Sequence, residues 1–258
     1  MSLSSDAAKD TANRARSDAP DLPQRLPQHV AVIMDGNGRW ATERGLPRVA
    51  GHQAGVQTVR EIVRASLDAG VPVLTLYAFS QENWKRPKDE VGVLMDLLDH
   101  FIVRELDDLE RQGVRLRTIG RTEALPPRTL EKIRDAEKRT STNAKLTLVI
   151  ALNYGARTEI LDAVRQLMRR AAADPGSAER ALDEAVFSEH LYTKGLPDPD
   201  LLIRTSGEMR LSNFLLWQMS YTEIYITRKY WPDFTREDYF EALREYATRE
   251  RRFGDVSA

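Results

Sequence analysis

No cysteine occurs among the 258 residues, which removes disulfides, thiolate metal sites and cysteine nucleophiles together. That absence fits a reducing cytosol. No stretch approaches the ~18 apolar residues of a membrane span. The opening residues (MSLSSDAAKDTANRARSDAPDLPQRLP) lack the apolar segment of a secretion signal. A soluble, cytoplasmic protein is expected. Net charge is nearly absent too, at −1, so no global field gathers nucleic acid or an anionic membrane. No nucleic-acid partner is expected, and any anion site must be built locally. The chain also lacks the GK[ST] of a P-loop and any G-x-G-x-x-G at its first glycine loop, which weakens a nucleotide phosphotransferase reading.

What is present organises itself after the first residues. Residues 1–27 are small, charged and proline-containing, with little to bury, and read as a disordered polar tail. Residues 28–258 read as one domain, since no linker or repeat divides them. Short apolar runs predict strands at His29 to Met34, Val73 to Phe79, Val114 to Ile119, Leu146 to Leu152, Leu201 to Arg204 and Glu223 to Thr227. The fourth is the most apolar and reads as central. Helical spacing predicts helices through Val56 to Leu67 (ending at Gly70), about Glu90 to Gly113, Pro127 to Thr140, Thr158 to Ala171, Leu182 to Leu191 and Arg236 to Arg252. The segment ADPGS reads as a loop. Strands alternating with helices imply an α/β fold, a six-stranded mostly parallel sheet flanked by helices.

Ligands of such sheets bind beyond the carboxyl ends of the strands, so the residues there are the candidates. They are Asp35 with Gly36, Asn37, Gly38, Arg39 and Trp40; Ser80, Gln81, Glu82, Asn83, Trp84 and Arg86; Asn153, Tyr154 and Arg157; and Arg204 with Arg210, Leu211 and Ser212. Arg48 and His52 precede the first long helix. Glycines admit backbone N–H groups to an anion, and arginine forks match phosphate oxygens. Five arginines (Arg39, Arg48, Arg86, Arg204, Arg210) exceed what one monophosphate needs and would serve two diphosphates. A carboxylate among them suits Mg²⁺, which takes one or two carboxylates plus substrate phosphates. Singly, each residue has a plainer reading. DGNG is a common turn, His52 a satisfied histidine, Trp84 packing, Leu94 to Leu109 core, and Glu223 the solvent face of an edge strand.

Together they carry a resemblance. HVAVIMDGNGRWA, GLPRVAGHQAG, YAFSQENWKRP, RTSGEMRLSNFLLWQMSYTEIYIT and YWPDF resemble, in order, the signature blocks of the cis-prenyltransferases, the isoprenyl transferases of bacterial undecaprenyl diphosphate synthesis among them. The resemblance implies a magnesium-dependent condensation of isopentenyl diphosphate onto an allylic diphosphate such as farnesyl diphosphate. It implies Asp35 as organiser of Mg²⁺ and Glu223 as a second acidic position near the metal. Gly36, Asn37, Gly38, Arg39, Arg48 and His52 match the allylic diphosphate cradle, and Arg204, Arg210 and Ser212 the isopentenyl diphosphate pocket. Asn83 matches a position assigned as proton acceptor in a loop with Trp84 and Arg86; because a neutral amide is a weak base, we expect it to position a substrate or water while a diphosphate oxygen takes the proton. Also implied are a hydrophobic tunnel between sheet and helices, with Ala78 where chain length is set, a homodimer through Ser220 to Pro232, and transient membrane contact when product leaves. Two alternatives stay open: a short-chain synthase, and a non-catalytic subunit, which would have lost the acidic and arginine positions kept here.

Overall fold

Apolar runs without polar alternation form the inner strands. β1 (His29–Ile33) is buried at all five positions and β5 (Leu201–Arg204) at all four, as strands covered on both faces must be. β2 (Val73–Ser80) and β4 (Leu146–Tyr154) are buried over most of their length. The computed structural model describes residues 22–174 and 182–250. Within them β3 (Val114–Ile119) and β6 (Glu223–Ile226) complete one sheet in the order β3-β4-β2-β1-β5-β6. Every neighbouring pair is parallel, so the fold is α/β with an entirely parallel sheet. β4 is interior but stands beside the edge strand β3, not at the centre. Its apolarity reflects cover on both faces.

The helices are α1 (Asn37–Glu43), α2 (Arg48–Ala69), α3 (Lys88–Gln112), α4 (Pro127–Arg139), α5 (Ala156–Ala173), α6 (Glu184–Ser188) and α7 (Arg236–Thr248). α2 ends at Gly70 in a left-handed conformation, φ 73°, as expected of a C-terminal glycine. α1 was not expected; the turn DGNG continues directly into helix. The helix expected over 182–191 is shorter, because the Asp183 side chain caps it by accepting the Val186 N–H at 2.8 Å. α7 stops at Thr248, and Arg252 lies outside the described residues, as do residues 1–21 and 175–177 of the expected tail and loop. Residues 22–27 depart from the tail reading. Leu22 and Leu26 pack on the core, and Arg25 donates to the Arg249 carbonyl at 2.9 Å and lies over the Tyr246 ring.

One face of the sheet (Val30, Val32, Leu74, Leu76, Leu148) packs with Ile62 of α2, Ile102 and Leu106 of α3, Ile133 of α4 and Leu243 of α7. The other (Ala31, Ile33, Val149, Ala151) packs with Ala156 of α5 and with Phe214 and Leu215 of the segment after β5. Each such large side chain contributes about 1.5–3 kcal/mol through burial. Because all six strands run the same way, their carboxyl ends share one edge. A cavity of about 770 Å³ opens at that edge and continues between the sheet, α2 and α3.

Candidate active site

β1 delivers Asp35 to the cavity mouth, and the Thr205 hydroxyl locks it to the end of β5. That hydroxyl accepts the Asp35 N–H at 2.9 Å and donates to the Asp35 carbonyl at 2.7 Å. Gly36 follows at φ 98°, where a Cβ would stand 2.5 Å from the Tyr230 ring; only glycine fits. The Asp35 Oδ1 accepts from the Gly36 N–H at 2.7 Å and from Arg39 at 3.3 Å, and its Oδ2 from Arg204 at 2.9 Å. Burial pushes this carboxyl up, but Arg204, Gly36 and Arg39 outweigh burial and hold it below the ordinary carboxylate range. Asp35 is therefore ionised at neutral pH. Buried Arg204 also donates to the Ser212 hydroxyl at 2.9 Å and to the Arg210 carbonyl, while its Nε has no protein partner.

The remaining arginines divide between two carboxylates. Glu208 accepts from Arg39 at 2.9 Å and from Arg210. Glu90, in the first turn of α3, takes Arg86 at 2.9 Å and Arg48 at 3.5 Å. His52 Nε2 stands 3.7 Å from Glu90, beyond hydrogen-bond reach, so that contact is electrostatic. Burial, reinforced by Arg86 and Arg48 against Glu90, lowers the His52 pKa and favours the neutral ring. Five guanidinium groups thus share three carboxylates, Asp35, Glu90 and Glu208, and even with the Glu82 carboxylate on the same lining the mouth keeps an excess of positive charge.

The loop after β2 is a 3-10 turn, Gln81–Lys85. Asn83 Oδ1 accepts the Ser80 N–H at 2.9 Å, Gln81 accepts from Thr158 at 2.6 Å, and Glu82 accepts from Asn213 at 2.9 Å. Trp84 donates its indole N–H to Asn153 at 2.8 Å and lies edge-on to Phe79. Below the charged mouth the lining turns apolar, with Val56, Val59, Leu76, Ala78, Leu94, Leu98, Phe101 and Ile150. Ala78 is at an irregularity of β2, where pairing jumps from Tyr77 to Phe79, and it faces the open space. Such a bulge re-aims its residue.

A cavity that joins cationic forks to an apolar interior suits an anionic head on a hydrocarbon tail. The comparisons with known proteins agree. Residues 33–254 match the prenyltransferase family model described as "Putative undecaprenyl diphosphate synthase". The chain belongs to this cis-prenyltransferase family. Among its relatives, the isoprenyl transferase of Agrobacterium fabrum is 55% identical over 90% of this chain and 94% of that protein. That of Thermotoga maritima is 52% identical over 90% and 98%. Among solved structures, a lavandulyl diphosphate synthase from Lavandula x intermedia, in complex with dimethylallyl diphosphate, aligns with TM-score 0.85 at 37% identity, covering 89% of this chain and 99% of that one. A probable undecaprenyl diphosphate synthase from Campylobacter jejuni gives 0.74 at 35% identity, covering 90% and 100%.

In this cis-prenyltransferase, Asp35, Gly36, Asn37, Gly38, Arg39, Arg48, His52, Ala78, Ser80, Glu82, Asn83, Arg86, Arg204, Arg210 and Ser212 all line the one cavity. Trp40, Gln81, Trp84 and Leu211 support it from outside the lining. Trp40 donates to Asp233 at 2.7 Å, and Leu211 packs in the core of the opposite sheet face. Glu223 is not brought to Asp35. As the first residue of β6 it pairs in register with Leu201, at the entry end of β5, while Arg204 pairs with Ile33 at the exit end. Strand polarity sends it to the far edge of the sheet, where Arg249 holds it at 3.0 Å. The expectation of Glu223 beside the metal position is corrected for a single chain. Sequence reasoning missed Glu90, Glu208 and Asn213. Glu90 was signalled by its i,i+4 spacing from Arg86, and Glu208 by its place two residues before Arg210.

Among the described residues no group of three or more His, Cys, Asp or Glu could cage a metal ion. Asp35, one ionised carboxylate on the cavity wall, fits the Mg²⁺ pattern of few carboxylates completed by substrate oxygens.

Proposed function

We propose that this prenyltransferase condenses isopentenyl diphosphate onto farnesyl diphosphate and repeats the addition to give a long-chain polyprenyl diphosphate such as undecaprenyl diphosphate. The observation that carries this reading is the single cavity in which five arginines at the mouth give way to an apolar interior. Arg39, Arg48 and the glycine loop bind the allylic diphosphate, and Arg204, Arg210 and Ser212 the isopentenyl diphosphate. Fixing both heads brings the reacting carbons together. The allylic C–O bond breaks with its electron pair leaving on the diphosphate, and the isopentenyl double bond forms the new C–C bond. A diphosphate oxygen accepts the proton that is lost. Asn83, whose amide oxygen already accepts the Ser80 N–H, positions the loop and substrate. Asp35 would hold Mg²⁺, which when bound offsets charge on the departing diphosphate. The apolar depth takes the growing tail, stabilised by about 0.8 kcal/mol per buried methylene.

A short-chain reading keeps the same chemistry and is favoured by the likeness to the lavandulyl diphosphate synthase bound to dimethylallyl diphosphate. We further infer a cytoplasmic homodimer built through the edge strand β6, whose flank exposes Tyr221 and Ile224. No helix among the described residues is long and apolar enough to cross a membrane, so membrane contact would be transient, at product release.

The test is incubation of purified protein with radiolabelled isopentenyl diphosphate, farnesyl diphosphate and Mg²⁺, with products resolved by length. A ladder ending at the undecaprenyl length, abolished by EDTA and in Asp35→Ala, is expected. Arrest after one or two additions would replace it with the short-chain reading. Folded protein that incorporates no label with farnesyl, geranyl or dimethylallyl diphosphate would overturn both.

A further inference from the structure

Glu208 is a carboxylate for which the proposed reaction provides no task. It sits in the loop after β5, two residues before Arg210, with 28% of its side chain exposed. Its Oε1 accepts from Arg39 at 2.9 Å and its Oε2 from Arg210. Arg39 continues to Asp35 at 3.3 Å, and Asp35 to Arg204 at 2.9 Å. The five residues form an alternating chain of charge, Arg204, Asp35, Arg39, Glu208, Arg210, spanning both halves of the mouth. Arg210 and Arg39 hold the Glu208 carboxyl below the ordinary range, so it stays ionised at neutral pH.

An ionised carboxylate in this place works against an arriving anion in two ways. It occupies guanidinium N–H groups that a phosphate oxygen would otherwise take. It also repels the incoming charge directly. Both effects weaken binding at Arg39 and Arg210. A site that adds units repeatedly must release inorganic diphosphate after each addition, and uniformly tight binding of that anion would slow turnover.

We propose that Glu208 is an internal competitor for the diphosphate-binding arginines, displaced from Arg39 and Arg210 when diphosphate arrives and returning to them as it leaves. The inference rests on the prenyl-transfer reading for its purpose, while its physical content is anion binding alone. Glu208 is a positioning residue, acting through the two arginines. A purely structural Glu208 makes the opposite prediction, because arginines that lost their anchor would bind the anion more weakly.

The experiment is calorimetric titration of the full chain with inorganic diphosphate, in wild type, Glu208→Gln, Glu208→Ala and Glu208→Asp. Removing one unit charge at contact distance from half-exposed partners should tighten binding about five- to tenfold in Glu208→Gln. Glu208→Ala should move the same way, and Glu208→Asp should stay near wild type. In the prenyl-transfer assay Glu208→Gln should lower KM for isopentenyl diphosphate and kcat together, as release slows. Binding that is unchanged or weaker in Glu208→Gln or Glu208→Ala, with a thermal melt matching wild type, overturns the competitor role. Tighter binding in those variants, in a chain that incorporates no labelled isopentenyl diphosphate, would instead sink the prenyl-transfer reading and leave the competitor standing.

Discussion

Ala78 shows how much one side chain can decide. It occupies the irregularity in β2 and lines the cavity together with Leu76, Leu94 and Leu98. A methyl group there leaves the passage from charged mouth to apolar depth open. Ala78→Leu would place a branched side chain in that passage, and cavity space once filled is not recovered without displacing packed neighbours. The expected outcome is a shorter product with the first additions little changed, read as a product ladder on chromatography. A ladder identical to wild type would take Ala78 off the path of the tail. At this scale Arg39 differs from Ala78, since its role depends on partners. Asp35, Glu208 and the Ser206 hydroxyl all accept from it, so its position is set by three groups from two segments far apart in sequence.

Those segments are placed by elements, and α1 and α2 approach each other closely at Gly51. A Cβ on Gly51 would stand 1.9 Å from the Asn37 carbonyl oxygen and 3.3 Å from the Ala41 Cβ. The obstacle is backbone, which cannot swing aside. Gly51→Ala gains up to ~1 kcal/mol in helix propensity, yet overpacking of this kind costs about 1–3 kcal/mol. We expect net loss of stability in urea denaturation, and weaker binding of inorganic diphosphate, because α1 carries Arg39 and α2 carries Arg48 and His52. A variant as stable as wild type, with unchanged binding, would show that the two helices can separate freely. The sequence makes the elements legible because β1, β2, β4 and β5 are mostly apolar runs, because β3 sets buried Val114 and Leu116 against Arg115 and Arg117, and because α2 and α3 carry apolar residues at helical spacing. It hides α1, since Asp35-Gly36-Asn37-Gly38 has turn chemistry and only Tyr230, from the other end of the chain, shows why Gly36 bends as it does. Most candidate residues were legible from their place after strand ends and from the resemblance. Glu223 misled because its block adjoins Arg210 in sequence, whereas register along β6 carries it to the opposite edge. Glu90 stands four residues after Arg86 and Glu208 two before Arg210, but their second partners, Arg48 and Arg39, come from other segments, and that pairing leaves no mark in the chain.

The molecule as a whole has an acid sensitivity built into the same sheet. His29 opens β1 fully buried, with Nδ1 2.7 Å from the Pro197 carbonyl and Nε2 2.6 Å from the Thr75 hydroxyl. Burial lowers its pKa from 6.5 to about 4, against the opposing pull of the Pro197 carbonyl and Asp200. The folded chain therefore keeps this ring neutral at pH values where the unfolded chain protonates it. Between pH 6.5 and about 4 the unfolded state binds more protons, so stability rises with pH and is lost on acidification. The shift corresponds to a loss of about 3 kcal/mol across that window. His52, also lowered by burial, adds in the same direction. Glu159 and Asp198, both raised by burial, act oppositely, because their folded forms hold protons longer than the unfolded chain does. Asp35 and Glu90 are lowered and lose their contribution only below the ordinary carboxylate range. Comparing wild type with His29→Gln separates the histidine from this background. Urea denaturation at pH 7 and pH 5 should show wild type losing stability on acidification, with the variant less stable at pH 7 but markedly flatter between the two. Equal slopes in the two proteins would mean that His29 is protonated in the folded state and that the acid sensitivity lies elsewhere.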